Sequence, residues 1–145
     1  MTKKMTRLEV TKTINAALAK GQRADLRNAN LEGVTLANMN LRGANLQGAN
    51  LTGATLRNAS LRGADLTGAT LERANLQRAI LVDANLTGAN LERVIGHYAS
   101  LRRADLTDAN LYRAALQCAN LRETNLTAEQ GATAYLAGAL KPVAA

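Results

Sequence analysis

The sequence predicts an all-β solenoid, and three observations carry that expectation. Leucine recurs at every fifth position from Leu26 to Leu126 without an insertion or deletion, and of these twenty-one positions only Gly96 breaks the series. Alanine stands two residues before each of them except at Val34, Met39, Val94 and Thr124. The place between is mostly Asn, Asp, Thr or Ser, as in Ala44-Asn45-Leu46 and Ala64-Asp65-Leu66. A period of five matches neither the 3.6 of a helix nor the 2.0 of a long strand. It fits a short strand with two inward positions, followed by a turn. The interposed Asn, Asp, Thr and Ser are turn formers that bond to nearby backbone. A unit this small cannot bury its leucine alone, so the units must stack.

Three segments follow in chain order. Residues 1–23 precede the repeat, and Val10, Ile14, Ala17 and Leu18 have helical spacing, with Gly21 placed to end a helix. This predicts a helix over about 7–20 that covers the first coil, where an open edge would invite pairing. Residues 24–128 are the solenoid. Residues 129–145 form a C-terminal cap and tail. There Thr127-Ala128-Glu129-Gln130 has the capping-box form and predicts a short helix to about Ala137, with Pro142 beyond it. Tyr135, Leu136, Leu140 and Val143 are candidates either to cover the last coil or to form a dimer contact.

The repeat resembles that of the pentapeptide-repeat family, whose motif is Ala, Asp or Asn, Leu and two variable residues. The resemblance covers about residues 24–128. It implies a right-handed β-helix of square cross-section with four units per coil, hence about five coils with short helical caps at both ends. It also implies that the C-terminal end is a place where similar proteins dimerise.

On that square frame the outward columns can be assigned. The first side, on Leu26, Leu46, Leu66, Leu86 and Leu106, carries Asp25, Asp65, Asp105 and Asp108 against Arg27. The second balances Glu32, Glu72 and Glu92 against Arg73, Arg93 and Arg113. The third carries Arg57 and Arg78. The fourth carries Arg42, Arg62, Arg102, Arg103 and Arg122 against Asp83 and Glu123. Arg42, Arg62, Arg102 and Arg122 form one column, interrupted by Val82. It reads either as an anion-binding stripe or as soluble outward residues whose stems cover the sheet. The net charge of +7 lies mostly in residues 1–23, which contribute +5, with +2 from residues 24–128.

The repeat fails once, at Val94-Ile95-Gly96-His97-Tyr98. Tyr98 falls on the corner between the third and fourth sides, with Arg78 one coil before it. Ile80 and Val82 are apolar at outward positions nearby, and Arg102 follows. Two readings stand. Gly96 marks a bulge, with Ile95 or Tyr98 tucked in to fill the missing leucine volume. Alternatively Arg78, Ile80, Val82, Ile95, His97, Tyr98 and Arg102 form a partner-binding site of the Tyr, Arg and apolar composition found at interface hot spots.

The sequence offers no catalytic equipment. His97 is the only histidine and Cys118 the only cysteine, so neither a nucleophile–base set nor a zinc site is expected. No cofactor is implied, because Gly33, Gly43, Gly48 and Gly53 fall at a fixed repeat position and form no phosphate loop. No apolar run approaches the ~20 residues of a membrane helix. Charged and polar residues interrupt the N-terminal segment where a signal peptide would be apolar, so a cytoplasmic location is expected. The expected role is a non-enzymatic scaffold or interaction module for a protein partner. The resemblance implies a second role, mimicry of DNA toward gyrase, which requires an acidic surface. A third is weak nucleic-acid binding through the Arg column, without aromatic residues to stack bases.

Overall fold

The structure, a computed structural model, describes residues 3–141; Pro142 and Val143 lie outside the described residues. Its wall is a ladder of parallel single-residue bridges. Asp25 pairs with Asn45, Asn45 with Asp65, Asp65 with Asn85 and Asn85 with Asp105, and the other three sides repeat the pattern. A step of 20 residues between partners means four five-residue units per coil. Residues 24–123 make five complete coils, and the inward leucines from Leu26 to Leu121 are buried to 2% exposure or less.

Backbone accounting explains the unit's composition. In the unit around Leu46, Asn45 N–H donates to Ala24 O one coil back. Leu46 N–H donates to Asp65 O, and Gly48 N–H to Thr67 O, one coil on. Ala49 N–H closes a turn onto Leu46 O. Four of five amides are thereby satisfied by backbone. The fifth, Gln47 N–H, donates to Asn45 Oδ1 at 3.2 Å. The same cap recurs at Asn50–Thr52, Asp65–Thr67, Asn75–Gln77, Asn85–Thr87, Asn90–Glu92 and Asp105–Thr107. Asn or Asp is therefore the commonest residue before the leucine, because its short side-chain acceptor completes the hydrogen bonding of its own turn.

The second residue after each leucine closes a type II turn, which requires positive φ. Every such position from Asn28 to Glu123 lies in the left-handed region. In the first nine units it is always Gly or Asn. From Arg73 onward only Gly88 conforms, and Arg, Asp, Tyr, Cys or Glu holds the conformation elsewhere.

The N-terminal end is closed by α1 (Arg7–Ala19). Thr6 and Glu9 form a capping box, and Gln22 N–H returns to Ala17 O in a Schellman ending after Gly21 at φ 63°. Ahead of the helix Met5 N–H donates to Asn30 O, and at its first residue Arg7 Nη1 donates to Thr35 O and Ala37 O at 3.0 and 3.1 Å. These carbonyls would otherwise await a preceding coil. Val10 is fully buried, with Ile14 and Ala17 packed against the core.

At the other end α2 (Ala128–Thr133) is shorter than expected. It replaces the second-side unit of a sixth coil. Gln130 Nε2 donates to Ala109 O, a carbonyl the next coil of the ladder would have used, and to Leu106 O, which also closes its own turn. The repeat then resumes in register as Ala134-Tyr135-Leu136-Ala137-Gly138. Tyr135 bridges to Ala115, Leu140 bridges to Asn120, and Gly138 has the turn conformation. The solenoid pattern thus extends past residue 128 on two sides. Among the described residues no helix is long and apolar enough to cross a membrane.

Candidate interaction face

The interruption at Gly96 leaves the ladder intact. Leu76 N–H reaches Ile95 O, Gly96 N–H reaches Ala115 O, and Ile95 bridges Asn75 and Ala115. There is no bulge, and neither Ile95 nor Tyr98 is tucked inward. The missing volume is filled from the next coil: a Cβ added at Gly96 would lie 2.7 Å from Leu116 Cδ2. With the core closed by Leu116, Ile95 and Tyr98 remain outside, 39% and 62% exposed.

Around them the structure gathers part of the residue set expected from sequence. Ile80, 42% exposed, lies on the adjoining side. Arg78 Cζ sits 5.9 Å from the Tyr98 ring centroid, a cation–π contact across one coil step. Arg57, Gln77, Arg78 and Tyr98 line one shallow cleft of about 100 Å³. His97 and Val82 are half-buried. Arg102 turns away, its Nε donating to Glu123 Oε1 at 2.8 Å. The sequence missed Arg57 as a member of this group, although its column, one coil before Gln77, places it there.

Apolar replacement has a local consequence here. Ile80, Ile95 and Ala115 stand where Asn or Asp would cap the turn, and their side chains offer no acceptor to the amides of Val82, His97 and Gln117. Three caps are given up within two neighbouring columns, where exposed apolar surface takes their place.

Half of the basic stripe is engaged by acids, and Arg103 beside it is as well. Arg103 donates to Asp83 through Nε at 2.6 Å and Nη2 at 2.9 Å, Arg62 approaches Asp83 at 3.4 Å, and Arg102 pairs with Glu123. Arg42 and Arg122 complete the column without ion pairs among the described residues. At the C-terminal end Leu136 packs against the core, whereas Tyr135 and Leu140 face outward.

On the first side Asp25, Asp65 and Asp105 serve the turns. Arg27 holds Asp25 in a bidentate pair at 2.7 and 2.9 Å, and the Asp25 pKa falls to about 2. The Thr107 hydroxyl and amide and the Asn125 side chain bring Asp105 down to about 2 from an ordinary 3.8. Between those values the unfolded chain binds more protons, so stability rises with pH through the window and is fully gained above about pH 4. Asp105→Asn keeps the acceptor, as Asn45 and Asn85 do in the same column, but removes the titration. Unfolding midpoints measured from pH 4 down to pH 2 should fall less steeply for Asp105→Asn than for the parent. Parallel curves would refute the assignment.

The chain matches the family model for pentapeptide repeats, in eight copies, over residues 22–58, 56–93 and 97–127. The match breaks over residues 94–96, where the leucine is missing. A pentapeptide repeat protein of Nostoc PCC 7120 is similar at 34% identity, over 88% of this chain and 94% of that one, with a TM-score of 0.52. One from the Arabidopsis thaliana thylakoid lumen is 31% identical over 73% and 70% of the two chains, also at 0.52. One from Cyanothece 51142 is 27% identical over 92% and 95%, at 0.51. No curated protein sequence matches the chain.

Proposed function

The chain belongs to the pentapeptide-repeat family, and from that premise we propose that it is a non-enzymatic interaction module, a rigid prism that offers the corner between its third and fourth sides to a protein partner. The observation that carries this reading is the exposure of Ile95 and Tyr98 at the single interruption of the repeat, after Leu116 has closed the core, with Ile80 exposed on the adjoining side. Nothing in the packing requires these side chains to be apolar. Two of the three occupy cap positions at which Asn would complete the turn. An apolar centre with a tyrosine and an oriented arginine is the composition of an interface hot spot.

The other two roles have less support. Nucleic-acid binding by the fourth-side column would need a continuous run of free guanidinium groups, but Val82 interrupts the column and Arg62 and Arg102 are held by Asp83 and Glu123, which leaves Arg42 and Arg122 at its two ends. Mimicry of DNA would need a free acidic surface, and Asp25, Asp65 and Asp105 are bound within their own turns.

Affinity capture tests the proposal directly. The full chain should retain a partner that an Ile95→Ser/Tyr98→Ala variant of equal thermal midpoint loses by about tenfold or more, the scale of hot-spot truncation. Equal recovery by both proteins would sink it.

A further inference from the structure

We infer that the third side is a docking strip for an acidic peptide segment of a partner protein with apolar residues beside its carboxylates; this rests on the interaction-module reading above and names the partner's chemistry. The third side is the only one of the four with no carboxylate. Its outward positions run Thr35, Ala37 and Asn38 in the first coil and Thr55, Arg57 and Asn58 in the second. They continue with Asn75, Gln77 and Arg78 in the third, Ile95, His97 and Tyr98 in the fourth, and Ala115, Gln117 and Cys118 in the fifth. The acids nearest in sequence are engaged at their own positions. Glu72 and Glu92 pair with Arg73 and Arg93 on the preceding corner, and Asp83 with Arg103 on the following one. Arg57 and Arg78 have no ion-pair partner among the described residues and converge with Gln77 on the cleft of about 100 Å³. That space equals roughly three waters, enough for one carboxylate head.

Two features orient the cleft before any ligand arrives. Arg78 lies over the Tyr98 ring, which limits the entropy lost when it takes a ligand. Arg78 and Tyr98 also both occupy left-handed turn positions, φ 56° and 60°, where the first two coils of the same corner use Asn38 and Asn58. Those two asparagines bond to each other at 3.1 Å, the undemanding solution for this corner. Arg78 and Tyr98 hold a less favourable backbone state at the site where their side chains are displayed.

The strip is polarised along the solenoid axis. Positive charge occupies its second and third coils and exposed apolar surface its fourth, at Ile95 and Tyr98; the fifth coil is uncharged, with Ala115, Gln117 and Cys118, and Tyr135 is exposed in the sixth. A ligand matching both parts carries negative charge at one end and apolar side chains at the other. A nucleic acid would match only the charged part, because the strip's single corner aromatic is already covered by Arg78.

Selection from a random dodecapeptide display library on the full chain, at low salt, reads out this chemistry. The expected result is enrichment of peptides with clustered Asp and Glu beside Leu, Ile or Phe. Binding should fall about tenfold in an Arg57→Gln/Arg78→Gln variant and on raising the salt. A Thr67→Ala/Thr87→Ala variant on the first side should bind as the parent does. Peptides without acidic bias, no enrichment, or equal binding by the Arg variant would each overturn the inference. So would an oligonucleotide that binds through Arg57 and Arg78 where acidic peptides fail. A captured partner lost on Ile95→Ser/Tyr98→Ala but indifferent to Arg57→Gln/Arg78→Gln would overturn this inference alone and leave the interaction module standing.

Discussion

Leu116→Ala should destabilise the protein by about 5 kcal/mol, whereas Leu56→Ala, in the same stack three coils earlier, should cost about 3. Both leucines are buried and both belong to the third side. They differ in what lies above them. Leu56 faces a full leucine in each neighbouring coil, while Leu116 faces Gly96 and extends a methyl group into the space a leucine would hold there. Truncating Leu116 therefore opens two adjoining slots, and the cost of a core truncation grows by about 24 cal/mol for each Å³ of cavity left behind. Denaturant midpoints at equal m-values give the comparison. Adding Gly96→Leu to Leu116→Ala should recover most of the loss, because the leucine then sits in the fourth coil and leaves only one slot short. Equal costs for Leu116→Ala and Leu56→Ala, or no rescue, would show that the two coils do not share this volume. The cycle has a bearing on the interaction face, since it is Leu116 that allows Ile95 and Tyr98 to remain outside.

Much of this architecture could be read from residue spacing. An uninterrupted five-residue register fixes which side chains point inward, the apolar spacing from Val10 to Leu18 marks the first helix, and the capping box at Thr127 marks where the second starts. The Gly96 filling was hidden because its cause lies 20 residues away and involves an ordinary leucine in an ordinary position. Nothing in Val94–Tyr98 itself says whether Ile95 goes in or out. The end of α2 was misjudged for a different reason. Ala134-Tyr135-Leu136-Ala137-Gly138 carries alanine and leucine two apart and glycine in the turn place, in step with Leu126, yet an alanine-rich stretch after a capping box also reads as helix. Register is the better guide there, since the ladder offers Tyr135 and Leu140 hydrogen bonds that a longer helix would forgo. The ion pairs that engage the Arg column were half visible. Asp83 and Glu123 stand beside it in sequence, but which guanidinium each one holds depends on the one-coil step between Asp83 and Arg103.

Replacing Arg73, Arg93 and Arg113 together by glycine should stabilise the protein by about 2 kcal/mol. The three follow Gly33 and Gly53 on one corner and hold φ of 56°, 53° and 55°. A side chain in the left-handed region costs roughly 1–2 kcal/mol, and glycine returns about 0.5–1 of that through the greater freedom of the unfolded chain. The three arginine side chains make only weak interactions in exchange. Arg73 and Arg93 lie 3.5 and 3.7 Å from Glu72 and Glu92 with partly exposed side chains at the surface, and pairs of that kind contribute about 0–1 kcal/mol. Arg113 packs 5.2 Å from the Tyr112 ring centroid on the surface. A stack of three guanidinium groups at successive coils also repels itself, and glycine relieves that. The reverse change, Gly33→Arg/Gly53→Arg, should lower the unfolding midpoint by a comparable amount. If neither direction moves it, the turns of this corner tolerate side chains without strain, and the shift from Gly and Asn to larger residues after Gly68 has no energetic meaning. If both move as expected, the second half of the solenoid keeps its side chains at the expense of stability, which is the pattern of a surface retained for contact. At low salt the stabilised triple variant should bind acidic peptides more weakly than the parent, because it frees Glu72 and Glu92 beside the strip. Raising the salt should narrow the difference, since Arg57, Arg78 and Tyr98 are unchanged.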